Sequence, residues 1–154
     1  NIWPVFCYIK NFELYAAYAA RVKRYAPYGS QYFNAAAKGL ESLDENPPPM
    51  QSNEYSLYKL VRALIRVQYA RRDELSGNTA GAAENYRKSV EEVTEGIISA
   101  RVGLDWLPES LLMAGDAYEK LDQVEAAKNV YEQVNRFFPG SNWEKTSRKR
   151  MDAL

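Results

Sequence analysis

The chain has 154 residues, 46% hydrophobic and 26% charged: enough for one folded domain or a short repeat array, and too apolar for a disordered segment. Twenty basic residues balance twenty acidic ones, so no basic excess is available for nucleic acid. Histidine is absent and cysteine occurs once, at Cys7, which excludes His-based nucleophilic catalysis, His-ligated zinc, bundle di-iron sites and a disulfide framework; no metal site and no cofactor are expected.

The chain opens on Asn1, not Met, as expected of a processed chain or a piece of a longer one. The apolar stretch Ile2 to Ile9 is too short to span a bilayer and lacks the basic lead of an intact signal peptide. Helical periodicity then dominates, and strand signals are nearly absent. A first helix is predicted from about Asn11 to Tyr25, stopped by Ala26-Pro27-Tyr28-Gly29, and a second from Gln31 to Leu43. Together they make an N-terminal pair over 11–45. Pro47-Pro48-Pro49 gives a stiff connector over 46–52. Ser52 caps a third helix, Asn53 to Leu75, with Leu57, Leu60, Val61, Leu64 and Ile65 as its buried stripe. Thr79 is read as the cap of a fourth, extending to about Ala100 on a stripe of Ala82, Ala83, Tyr86, Val90, Val93 and Ile97. These two form a divergent pair over 53–102. A fifth helix begins at Pro108 and ends near Leu121, where Asp122-Gln123 makes a tight turn. A sixth spans Val124 to Phe137, and Pro139-Gly140-Ser141 stops it. A short capping helix fills 142–154.

The informative segment is 108–141. Leu111, Ala114, Gly115 and Tyr118 are followed by Ala127, Tyr131, Val134 and Pro139 at fixed offsets. Gly115 and Ala127 leave room for two antiparallel helices, Tyr118 and Tyr131 fill the volume beside them, and Pro139 turns the chain. This spacing resembles the tetratricopeptide repeat, W-x2-L-G-x2-Y, A-x3-F, P, with Tyr131 in place of Phe, Leu111 of Trp, Ala114 of Leu and Val134 of Ala. The resemblance implies an all-α fold, a tetratricopeptide-like right-handed stack of antiparallel helix hairpins, here a single domain over 1–154. The junction Phe138-Pro139-Gly140-Ser141 also resembles repeat proteins of the bacterial envelope, such as the repeat lipoprotein of the outer-membrane β-barrel assembly machinery and the division coordinator that works with Tol-Pal.

In that family the first helix of each pair lines a concave groove. Carried onto this chain, the groove residues are Glu109, Leu112, Asp116, Glu119 and Lys120, a mostly acidic face suited to a basic or mixed partner segment. Lys59, Arg62 and Arg66 form a basic stripe that either holds an acidic segment or pairs with Glu91, Glu92 and Glu95. Half of the aromatic residues fall in the first 33 positions; Trp3, Phe6, Tyr8, Phe12, Tyr15 and Tyr18 are read as a docking surface, against local packing as the alternative. Glu109-Ser110 faintly resembles the catalytic segment of lytic transglycosylases, but the downstream part of that motif is missing, and Glu109 reads as a first-turn acid. Arg71-Arg72 and Arg148-Lys149-Arg150 read as solvated helix ends. The function implied is a non-catalytic protein–protein interaction scaffold or adaptor in a larger, bacterial cell-envelope assembly. The alternative is an accessory subunit bound permanently in a membrane-associated enzyme complex. The expected partners are other proteins, with membrane proximity through a partner, no nucleic acid and no small-molecule substrate. The expected place is the periplasm or cell envelope, with the cytoplasm left open.

Overall fold

The computed structural model describes residues 44–101, 103 and 105–154. The predicted N-terminal pair over 11–45 and the docking surface of Trp3, Phe6, Tyr8, Phe12, Tyr15 and Tyr18 lie outside the described residues, apart from Asp44 and Glu45. Five helices follow in order: α1 (Asn53–Leu75), α2 (Thr79–Ser99), α3 (Leu107–Lys120), α4 (Val124–Phe137) and α5 (Asn142–Asp152). No strand occurs among the described residues. Each helix packs on the next, and α3 also reaches α5. This is an all-α stack of tetratricopeptide-like hairpins, as expected of neighbour-to-neighbour repeat architecture.

The helix ends follow local chemistry. The Ser52 hydroxyl accepts the Tyr55 N–H at 3.3 Å and starts α1. At its other end Gly77 adopts φ +77°, so that the Asn78 N–H reaches the Asp73 carbonyl at 2.8 Å and closes the last turn. The cap of α2 is Asn78 and not Thr79: the Asn78 side chain accepts the Gly81 N–H at 3.0 Å. Asn outranks Thr at this position and its longer side chain makes the reach. Between α3 and α4, Asp122 takes a left-handed φ of +57°, and the Gln123 N–H closes on the Tyr118 carbonyl at 2.9 Å. Ser141 caps α5 by accepting the Glu144 N–H at 3.2 Å. Glu144 turns back to accept the Gly140 N–H at 2.6 Å, so two orphan donors are satisfied at one helix start.

The main core joins Leu57, Leu60, Val61 and Ile65 of α1 to Val93 of α2 and Ala114 of α3. Leu64, expected in the buried stripe, is only partly covered, because it turns toward the concave side. A second cluster packs Ala70, Ala82, Tyr86 and Ala117, and a third packs Leu107, Leu111 and Val134. Within α3–α4, what Gly115 makes room for is the ring of Tyr131: a Cβ at Gly115 would collide with it. Tyr131, expected to fill volume beside the small residues, thus sits directly against Gly115.

Two of the three residues of the basic stripe of α1 are paired internally, whereas Arg66 makes no ion pair among the described residues. Lys59 Nζ lies 2.9 Å from Glu92 and 2.7 Å from Glu95, and Arg62 bridges Glu92 at 3.0 Å and Asp44 at 2.6 Å. Glu91, the third acid expected to take part, points to solvent and has no ion pair among the described residues. Asp44, just ahead of the Pro-rich connector, joins the same network, since it also accepts the Tyr58 hydroxyl at 2.5 Å. Trp106 anchors the following junction by donating its indole N–H to the Ser56 hydroxyl at 2.5 Å.

Candidate functional site

The concave side holds a groove of about 620 Å³ built mainly from three helices. α1 contributes Leu64, Val67, Gln68 and Arg71, spaced at three and four along one helix face. From α3 come Glu109, Leu112, Met113, Asp116, Ala117, Glu119 and Lys120. α5 adds Trp143, Thr146 and Arg150, and Tyr86 of α2 closes one point of the wall. All five residues read from the sequence as groove positions, Glu109, Leu112, Asp116, Glu119 and Lys120, therefore line one cavity.

Trp143, Thr146 and Arg150 each stand one 34-residue repeat period after Glu109, Leu112 and Asp116. α5 thus presents its groove face as a repeat's first helix does. The opposite face differs. One period after Leu111, Ala114, Gly115 and Tyr118 stand Lys145, Arg148, Lys149 and Asp152, all exposed. Where α3 offers apolar and small residues to α4, α5 offers charges to water.

The electrostatics differ from the mostly acidic face expected. The Tyr131 hydroxyl lies 2.7 Å from Asp116 Oδ1 and also against Glu119 Oε1, so two carboxylates share the single proton it can donate. Burial and these two acids hold the Tyr131 phenol well above its ordinary pKa. Arg150 of α5 reaches Asp116 at 3.2 Å. Burial raises the Asp116 pKa above the usual aspartate value, and Glu119 adds to the rise, against the Tyr131 hydrogen bond and the Arg150 charge. Lys120 pairs with Glu74 at 3.1 Å. The acids expected to face a basic partner are engaged by groups of this chain, and three cations, Arg71, Lys120 and Arg150, share the lining. The net face is mixed, with apolar side chains between the charges.

Arg71 and Arg150, read from the sequence as solvated helix ends, are exposed and also line the groove. Tyr86 and Trp143 were also missed as lining residues. The 34-residue offset from Glu109 to Trp143 was the available signal for α5; for Tyr86, which reads as ordinary core, none existed. Ser110, beside Glu109, is buried and donates its hydroxyl to the Trp106 carbonyl at 2.9 Å, where it completes the first turn of α3. Among the described residues no group of three or more His, Cys, Asp or Glu is placed to hold a metal ion, and no helix is long and apolar enough to cross a membrane.

A groove lined by the first helices of successive hairpins defines a helical-repeat interaction fold. Residues 109–141 match the family model of the tetratricopeptide repeat. The chain therefore carries such a repeat in α3–α4, the segment singled out by the Gly115, Tyr118, Ala127, Tyr131 and Pro139 spacing. No curated protein and no solved structure matches the chain at a significant level.

Proposed function

We propose that the protein is a non-catalytic scaffold whose concave groove holds a segment of another protein. The observation that carries this reading is the convergence of α1, α3 and α5 on one groove, with half-buried Leu64, Leu112 and Met113 and the exposed Trp143 between charged side chains. Tetratricopeptide repeats generally mediate protein–protein interaction. An apolar cleft with a polar rim is the composition of a recognition surface, and a partly exposed Trp supplies an anchor. The groove residues Glu109, Leu112, Asp116, Glu119 and Lys120 are the proposed contact set, and Trp143, Arg71 and Tyr86 join it.

The setting proposed is a bacterial envelope assembly, in the periplasm or beside the membrane through a partner. Its support is the Phe138-Pro139-Gly140-Ser141 junction, the point of likeness to envelope repeat proteins. Site-specific photocrosslinking in cells tests both parts. A crosslinker at Leu112 or Thr146 is expected to capture the same partner protein, whereas one at the exposed Glu132 or Gln133 of α4 captures none. Equal capture from both faces would end the groove reading, and a cytoplasmic partner would end the envelope reading.

A further inference from the structure

Of the three helices that mainly build the groove, α5 is fastened unlike the others. Among the described residues its one buried side chain is Ser147, and no residue of α5 belongs to any of the three apolar clusters. α4, on which it lies, buries Ala127, Tyr131 and Val134. Met151 of α5 is only partly covered, and Trp143 is 38% exposed. The fastenings are polar. The Ser147 hydroxyl donates to the Tyr131 carbonyl at 2.7 Å, the Asn135 amide donates to Met151 Sδ at 3.4 Å, and Arg150 pairs with Asp116 at 3.2 Å. That ion pair is nearly half exposed on both sides, where such a pair contributes little and salt screens it. A hydrogen bond formed at the expense of one to water also fastens weakly beside the burial of an apolar side chain.

Within itself α5 is better provided for. Ser141 caps it, Glu144 accepts the Gly140 N–H, and Arg148 pairs with Glu144 one turn on at 2.7 Å. Lys149 and Arg150 stand in its last turn, where cations suit the helix dipole. The exposed Pro139 and Gly140 join it to α4, and Gly140 takes φ +76° with open space where a Cβ would stand. We propose that α5 is the movable wall of the groove: it leaves α4 and returns while α1 to α4 stay folded, carrying Trp143, Thr146 and Arg150 with it and opening the groove along one side. On the groove reading above, α5 clamps the held segment, and release waits on its opening. The motion itself does not depend on that reading.

Hydrogen exchange of the full chain, read residue by residue by NMR, tests it without any occupant. The amides of Thr146 to Arg150 are expected to exchange together, about tenfold or more faster than those in the middle of α4. Arg150→Gln is expected to speed them about twofold in low salt and not at all in molar salt, where the unaltered pair is already screened. Ser147→Leu forces a bulky side chain into a fully buried place and is expected to abolish protection of α5 while α3 and α4 keep theirs. Exchange of α5 at the rate of α4 in the unaltered chain would overturn the inference. So would loss of protection in α3 and α4 together with α5 in Ser147→Leu. Either result leaves the groove reading standing.

Discussion

The two hairpins solve one packing problem with different residues. In α3–α4, with 14 residues per helix, the space comes from Gly115 on the first helix and is filled by the fully buried Tyr131 ring of the second. In α1–α2, with 23 and 21 residues, the space comes from Gly96 on the second helix. A Cβ there would stand 2.9 Å from Lys59 Cβ and 3.0 Å from the Ser56 carbonyl oxygen. Beside that glycine, Lys59 pairs with Glu92 and Glu95 and Arg62 pairs with Glu92, flanking the apolar cluster that holds Leu60, Val61 and Val93. The lesson is that a close helix crossing needs one small residue at the contact, on either helix. The family's sequence pattern records only one of those choices.

The largest expected effect breaks the short hairpin. Tyr131→Ala removes a buried ring and leaves Asp116 and Glu119 without their shared donor, and a loss of about 3–5 kcal/mol in urea-monitored stability is expected. Next come the glycines. Gly96→Ala and Gly115→Ala both gain helix propensity, yet overpacking dominates and each is expected to lose about 1–2 kcal/mol net. Their rescue separates them. Trimming Tyr131 to Leu should relieve Gly115→Ala in a double-mutant cycle, whereas no side-chain trim relieves Gly96→Ala, because its obstacle includes the Ser56 backbone. Glu92→Gln should cost about 1–2 kcal/mol by leaving the half-buried Lys59 and Arg62 short of their anion. That loss should appear in hydrogen exchange of α1 and α2 before α4.

The smallest effects are in pH. Asp116 has its folded pKa raised above the unfolded value, so the folded chain binds this proton more tightly. Its contribution to stability is therefore greatest in acid and declines as pH rises through the carboxylate range. Glu144 behaves oppositely: the Gly140 N–H and Arg148 lower its pKa, so its contribution is present above the ordinary Glu range and fades as pH falls. Carboxyl-carbon NMR should show Asp116 titrating above an ordinary aspartate and Glu144 below an ordinary glutamate. The reverse order would break the account of both sites.

The legible parts of the molecule are those that local chemistry decides. Ser52, Pro108 and the 3.6-residue stripes fix helices to within a residue or two, and the Gly115 to Pro139 spacing marks the repeat. The groove positions on α3 follow from that spacing, and the structure gathers them at one cavity. What stayed hidden depends on partners distant in sequence. That Glu119 and Asp116 turn to Tyr131, and that Arg71 at the end of α1 lies across from α3, are facts about which helices meet. Gly96 was equally invisible, because a lone glycine in a helical stretch carries no mark of what lies opposite. Read from α3 alone the face is mostly acidic; α1 and α5 add Arg71 and Arg150 to the same lining.

Tyr131 joins three structural relations in one side chain and its backbone. Its ring wedges behind Gly115, its hydroxyl sets the angle of the groove carboxylates, and its carbonyl accepts the buried Ser147 hydroxyl of α5 at 2.7 Å. Packing and the proposed recognition surface are thereby tied together at this point. Any retuning of Asp116 or Glu119 for a new client would disturb the wedge and the seating of α5 together. Under the proposed function, a change of partner falls most easily on the α1 wall, at Gln68 and Arg71, where a new side chain leaves the Gly115–Tyr131 wedge in place.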